Sequence, residues 1–480
     1  MRARELNLTL DPDRAGPIYV RAAEAILQAV RSGRIQRGQA LPGIRELAER
    51  LGVHRNTALA ALRELEAQGW LEARPRSGFF VVEALPERPL CAGAGPGAAG
   101  PGFDVPGRLR PITSTSNVVL DFSDGVADAR LAPTEALARA YPRALRLKGP
   151  ELLQAGAFMG HARLRRALAA HVAEQRALVR EPDQVLVIRS TSMAVSLVAQ
   201  ALVGPAGGDV AVETPGHPLV WETLRQASAA RIHGLPVDAG GLQVEALEAL
   251  LARTPLHLLV LTPQCHMPTG VALAADRRER ILALARAHRF AILELDGEYD
   301  YLEAPPVPLA AQDTTGQVLY FGSLSRLLAP GIRLGFLVVP GNLAEGLAKA
   351  RQRMDWQGDP VLEWAVSELF LDGEIARHLR RVRKACQDRR AALLDALRFH
   401  LPGLLAFEGT PGGMALWLRG AGKMADPARF DIWIRSCGLK GIKLRLGSYF
   451  DLEGRPLAAT RLGFTAYTPA EIQDAVPLMT

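Results

Sequence analysis

After Pro17, the apolar residues Ile18, Ala22, Ala25, Ile26, Ala29 and Val30 return at the three- and four-residue spacing of one helix face. This predicts a helix that Gly33 and Gly38 bring to an end. The stretch LPGIRELAERLGVHRNTALAALRELEAQGWL (41–71) predicts two shorter helices on either side of a tight turn at Leu51-Gly52-Val53. The second of these sets Ala58, Leu62 and Leu65 on one face and crowds His54, Arg55, Asn56 and Thr57 at its exposed N-terminal end. WLEARPRSGFFVV (70–82) then reads as two short strands joined at Arg76-Ser77-Gly78. Further along, the pattern changes to short apolar runs separated by helical stretches: VLVI (185–188), DVAVE (209–213), LHLLVL (256–261), FAILEL (290–295), VLYFGSL (318–324) and GFLVVP (335–340). Such alternation predicts a mostly parallel sheet covered on both faces, with ligand-bearing residues in the loops at strand ends.

Between these two regimes, CAGAGPGAAGPG (91–102) carries no charge and almost no side-chain surface to bury, so residues 83–117 read as a linker. The organisation expected is a small domain over 1–82, the linker, and a large domain over 118–480. A length of 480 residues suits more than one domain, and 48% apolar with 22% charged residues is the balance of a globular protein. No segment is apolar enough to span a membrane, and the N-terminus lacks the apolar core of a secretory signal, so a cytoplasmic location is expected. The four cysteines are scattered without metal-ligand spacing and are expected to be reduced thiols; no metal is expected. Net charge adds one more feature. Of the overall +7, residues 1–82 carry +4, from 13 Arg and 9 acidic residues, which suits a polyanionic partner.

Helix, turn, helix and β-wing is an arrangement that reads DNA, with the second helix of the pair in the major groove. Arg55 is placed to bond guanine O6 and N7 together, and His54, Asn56 and Thr57 to reach bases or phosphates. Arg45, Arg74 and Arg76 suit backbone phosphates or the minor groove. The bland alternative is a small solvated domain with incidental arginines, or one that binds proteins. Residues 15–82, through PIYVRAAEAI, LPGIRELAERLGVHRNTALAAL and RPRSGFFV, closely resemble the GntR-type winged helix. They depart from it at Gly43 and His54, where the family has small hydroxyl residues.

A head of this type on a large α/β domain resembles the MocR subfamily, whose second domain resembles a fold-type I aminotransferase using pyridoxal phosphate (PLP). The landmarks are DFSDGVAD (121–128), VETPGHP (212–218), LTPQCHMPTG (261–270), LELDGEYDYL (293–302), GSLSRLLAPGIRLG (322–335), GGMALWL (412–418) and RLGF (461–464). The resemblance implies a winged helix-turn-helix plus an α/β PLP-dependent-transferase-like domain with a mostly parallel sheet and a small C-terminal α+β subdomain. It also implies roles. Ser190, Thr191 and Ser192 match a phosphate-cradling turn, and Ser323 and Arg333 match two further phosphate contacts. Asp296 matches the carboxylate that pairs with the pyridine nitrogen, Tyr299 the ligand of the phenolic oxygen, His217 the ring-stacking position and Arg461 the grip on a substrate carboxylate. By residue chemistry alone, Asp296 could instead be a buried carboxylate paired with an arginine, His217 a turn residue, and Ser323 and Ser325 partners of the backbone.

Position 326 decides between the readings. There the family carries the lysine that forms the internal aldimine, and this chain has Arg326. A guanidinium stays protonated and is not a nucleophile, so the charge is kept and the Schiff-base chemistry is lost. The segment matching the family's His-Gln pair is also changed, to Cys265-His266. The expected function is therefore a DNA-binding regulator and not an enzyme, with no catalytic residue and PLP held non-covalently at best. Its effector would be a small molecule, an amino acid or an anion, with Arg326 pairing with Asp296 or holding the ligand. The alternative is a PLP-dependent regulator or aminotransferase that recruits another lysine. The subfamily resemblance further implies a head-to-tail homodimer reading a double-stranded operator.

Overall fold

The computed structural model describes residues 8, 10, 16–75, 77–84, 119–408 and 412–480. They fall into two compact units, Met1–Thr113 and Ser114–Thr480.

In the first unit, α1 (Ile18–Arg31), α2 (Ile44–Leu51) and α3 (Arg55–Ala67) precede an antiparallel hairpin of β1 (Leu71–Arg74) and β2 (Gly78–Val81). Ala22, Ile26 and Ala29 of α1 and Leu62 and Leu65 of α3 are almost fully buried against Leu47, Leu71 and Val81. Ile18, expected on the buried face of α1, is 55% exposed, because the buried stripe begins one turn later at Ala22 and Ala23. The turn between α2 and α3 rests on Gly52, whose φ of 62° is a left-handed conformation that glycine adopts without a Cβ clash. It lets the Gly52 and Val53 amides close onto the last carbonyls of α2 at 3.2 and 3.0 Å.

The second unit is built on an eight-stranded sheet. Its strands are β4 (Val185–Ile188), β5 (Gly208–Thr214), β6 (Ala230–Asp238), β7 (Gly241–Leu242), β8 (Leu258–Leu261), β9 (Ala291–Asp296), β10 (Val318–Ser323) and β11 (Gly335–Val338), in the order β4-β11-β10-β9-β8-β5-β6-β7. The contiguous strands β10, β9, β8, β5 and β6 run parallel, while β11 and β7 pair antiparallel with their neighbours. The central strands β5, β8, β9, β10 and β11 are buried almost throughout on both faces, as the unbroken apolar runs require, and so is β4 at the edge of the sheet. Alternate residues feed two cores. Leu293 and Leu295 join Val195, Val220 and Trp221 of the helices on one side, while Ile292 and Tyr320 join Leu168 and Val172 on the other.

A third core underlies the smaller part of this unit. The two-residue β3 (Leu120–Asp121) pairs parallel with β14 (Ile442–Lys443), and β12 (Leu405–Glu408), β13 (Ala415–Gly420) and β15 (Ala459–Gly463) form an antiparallel sheet. Phe122, Leu418, Phe430, Leu462 and Phe464 are fully buried there. Among the described residues, no helix is long and apolar enough to cross a membrane.

Candidate functional sites

The N-terminal end of α3 is the exposed end of the head. His54 caps it, its Nδ1 accepting from the Asn56 amide at 3.3 Å, so an imidazole does here what a Ser or Thr hydroxyl does at other helix starts. Against the winged-helix pattern His54 reads as a lost cap; the ring nitrogen restores it. Gly43, by contrast, starts α2 with no side-chain cap. Arg55 and Asn56 are exposed and Thr57 half-buried beside them. Arg45 is exposed at the start of α2. Arg74 is engaged within the wing: its Nε donates to Glu72 at 2.7 Å and its guanidinium lies 4.3 Å above the Phe80 ring. Arg76 lies outside the described residues.

In the large unit the family's landmarks converge on the C-terminal ends of β4, β9 and β10. Ser190 ends the β4 loop and caps the helix Thr191–Leu202, its Oγ accepting from the Met193 amide at 3.2 Å. Ser190, Ser192 and Arg333 line one open groove of about 620 Å³, with Thr191 at the first helical position beside it. Arg333 holds a left-handed φ of 51° and is exposed. Ser323 is not among the residues lining this groove, and its Oγ accepts from the Arg326 amide at 3.2 Å. Ser325 likewise bridges both backbone groups of Leu334.

Beyond the groove, the expected ring contacts do not assemble. Asp296 is turned to the opposite face of the sheet from Leu295. It accepts from Tyr320 Oη at 2.5 Å and lies 3.8 Å from Arg176, which also bonds Asp300 at 2.8 Å. Burial pushes the Asp296 carboxyl up to about 7 despite Arg176 and Tyr320. The strand alternation makes this unavoidable: consecutive residues face opposite ways, and Leu295 is the one on the His217 side. Tyr299 also points away, its hydroxyl donating to the Gln175 carbonyl at 3.0 Å under the Arg176 guanidinium. Between His217, Leu295, Glu213 and Met267 only a gap of about 10 Å³ remains, room for one water. Desolvation drives the His217 imidazole down to about 4, and its buried Nδ1 has no partner.

Arg326 does not pair with Asp296. From the short helix Leu324–Leu327 its guanidinium reaches Asp124 Oδ2 at 3.1 Å, Glu298 Oε1 at 3.4 Å and the Gly125 carbonyl at 3.2 Å. Its stem lies against Gly297, where a Cβ would meet Cδ at 3.1 Å. Arg461 completes the arrangement from β15, fully buried. Its Nε donates to Asp124 Oδ1 at 3.0 Å, its Nη1 to the Pro268 carbonyl at 3.1 Å and its Nη2 to Glu298 Oε1. Glu298 is fixed at its other oxygen by the Met414 amide at 2.9 Å. Two guanidiniums and two carboxylates thus satisfy one another, and neither Asp124 nor Glu298 stood out in the sequence as a site residue. Both lie inside landmark stretches, but their partners are up to 337 residues away along the chain.

As a seat for PLP the residues divide into two sides. The groove supplies hydroxyls, a helix N-terminus and an arginine suited to a phosphate. The ring side does not fit. Leu295 and not Asp296 is on the His217 side, and the side chain at 326 is a bonded guanidinium. Among the described residues no cluster of three or more His, Cys, Asp or Glu is arranged for a metal.

Comparison with known proteins places the chain. Curated relatives include the probable rhizopine catabolism regulatory protein MocR of Rhizobium meliloti, 27% identical across 98% of this chain and 94% of that protein. The HTH-type transcriptional regulator TauR of Rhodobacter capsulatus is 29% identical, across 97% and 96%. Among solved structures, the α-aminoadipate aminotransferase LysN of Thermus thermophilus, complexed with N-(5'-phosphopyridoxyl)-L-leucine, matches with a TM-score of 0.68 and 27% identity over 76% of this chain and 91% of that one. The kynurenine aminotransferase of Pyrococcus horikoshii matches with 0.69 and 23% over 76% and 90%, a likeness of fold. Residues 18–81 match the family described as bacterial regulatory proteins, gntR family, and residues 118–476 match aminotransferase class I and II. The chain therefore belongs to the class I and II aminotransferase family through its large unit, joined to a GntR-type head.

Proposed function

We infer that this chain is a sequence-specific, DNA-binding transcriptional regulator whose aminotransferase-like unit recognises a small molecule without forming an imine to it. Residues 1–82 act as the reader, 83–117 as the linker and 118–480 as the effector and dimerisation domain, with two chains paired head to tail. The carrying observation is the guanidinium of Arg326, which follows β10 in the stretch that resembles the family's lysine-bearing turn and is bonded to Asp124 and Glu298. A protonated, hydrogen-bonded guanidinium has no lone pair to offer a carbonyl. The relatives' names, the exposed Arg55 and Asn56 on α3 and the basic head support the DNA-binding half.

The open groove at Ser190, Ser192 and Arg333 favours a second reading of the cofactor, in which PLP is held through its phosphate and without a covalent bond. One experiment tests both. The full chain is incubated with PLP, reduced with borohydride and weighed intact, in parallel with an equilibrium dialysis for bound PLP. No mass increase is expected; dialysis separates weak binding from none. A pyridoxyl adduct on any lysine would overturn the non-covalent assignment. Binding to operator DNA that falls with salt yet keeps its sequence preference supports the reader role, and its absence would leave the head a protein-interaction module.

A further inference from the structure

We propose that Asp124 is an internal ligand: its carboxylate occupies the clamp formed by Arg326 and Arg461 as a small free carboxylate would, and an effector anchored there must exchange with it. This rests on the large unit being an effector-binding domain.

The geometry is that of a bound ligand. Asp124 spans the two guanidiniums, one oxygen 3.0 Å from Arg461 Nε and the other 3.1 Å from Arg326 Nη2. The second acid is held differently. Glu298 is 8% exposed and also bonds the Met414 amide, so releasing it would orphan a buried N–H as well as two cations. Asp124 is 33% exposed and Arg326 25%, whereas Arg461 is only 1% exposed. Asp124 therefore stands at the mouth and Glu298 at the floor. Exchange at the mouth costs the chain one carboxylate contact and returns another of the same chemistry, with the Asp124 side chain moving into water.

Two consequences follow. With Asp124 and Glu298 in place the charges of the site sum to zero, so no unpaired cation attracts an anion from solution. A tethered carboxylate also competes at a high effective concentration, which excludes simple monocarboxylates at ordinary levels. Only a ligand that adds contacts elsewhere would displace it. Asp124 is thus a specificity-determining residue.

Side-chain complementation tests this on the full chain. Acetate is the side chain of aspartate with a hydrogen in place of the backbone bond. In Asp124→Gly, thermal unfolding is expected about 3–6 °C below wild type in chloride, and sodium acetate at matched ionic strength is expected to restore at least half of the loss. Wild type should show no acetate-specific shift. Asp124→Ala, which leaves room for one carbon fewer, should respond to formate. Should Asp124→Gly not accumulate folded, refolding yield in acetate against chloride reads the same exchange. Equal behaviour of the variants in acetate, formate and chloride would overturn the proposal. Loss of DNA binding or a trapped PLP adduct would refute the regulator reading while leaving the complementation result intact.

Discussion

The two candidate sites use their polar groups in opposite ways. At the N-terminal end of α3, Arg55 and Asn56 project into solvent, and neither Arg45 nor Arg55 has a side-chain hydrogen bond among the described residues. At the ends of β9 and β10, by contrast, Arg326, Arg461, Asp124 and Glu298 have one another. Donors left unsatisfied on a surface are available to a partner at little cost, because water is all they must give up. Donors paired internally in a partly dry pocket have to be outbid. The difference separates a surface prepared for a polyanion from a pocket already filled by its own chain.

The sharpest way to break this contrast is to remove the deepest charge. Arg461→Leu should destabilise the large unit by about 3–5 kcal/mol, since two partly buried carboxylates would be left to a single cation. Urea unfolding of the full chain reads it as a lower midpoint with unchanged slope, and a loss below about 1 kcal/mol would mean the network is not an energetic unit. Arg55→Ala should weaken operator binding about 10–100-fold with relaxed preference at one base pair, measurable by fluorescence anisotropy. Arg45→Ala should instead weaken all sequences alike and lower the salt slope by about one. If both variants behaved identically, direct base reading by Arg55 would be excluded. Arg74→Ala should matter least on the head, because Glu72 and Phe80 already hold its guanidinium.

The smallest effect is one of pH. Burial raises the Asp124 carboxyl, but Arg326 and Arg461 together outweigh it and hold the group at about 2, below its ordinary 3.8. A lowered carboxyl stabilises the fold above about pH 4 and loses that contribution as pH falls toward 2. Thermal scans across this window should therefore fall more steeply for wild type than for Asp124→Asn, and parallel curves would contradict the pairing.

Much of the frame could be read from the sequence. The six apolar runs each became a strand, because a strand covered on both faces leaves an uninterrupted apolar signature, in antiparallel β11 as in its parallel neighbours. β6 was missed for the same reason inverted: ARIHGLPVD is mostly half-buried or exposed and mixes Gly and Pro with charge. The site was less legible. Asp296 lay in a matching motif, yet one step of strand alternation put Leu295 toward His217 and sent Asp296 to Arg176 and Tyr320. Its alternative reading, a buried carboxylate near an arginine, describes what the geometry holds. Tyr299 lies beyond the strand, in the 3-10 turn Tyr299–Tyr301, and its hydroxyl goes to the Gln175 carbonyl. Asp124 and Glu298 gave no signal of their own, since ion pairs closed across 28 to 337 residues have no local period or spacing.

Position 297 carries a consequence for any exchange at position 326. Gly297 is where the stem of Arg326 rests, and a methyl added there would press on Cδ at 3.1 Å. Exchanging the arginine for a lysine would shorten the reach but deliver the new ammonium to the same two acids, which would keep it charged and unreactive. Position 326 is thus constrained by several neighbours at once. Any side chain exchanged for the guanidinium at 326 would therefore have to answer to Asp124 and Glu298 as well as to the space above Gly297.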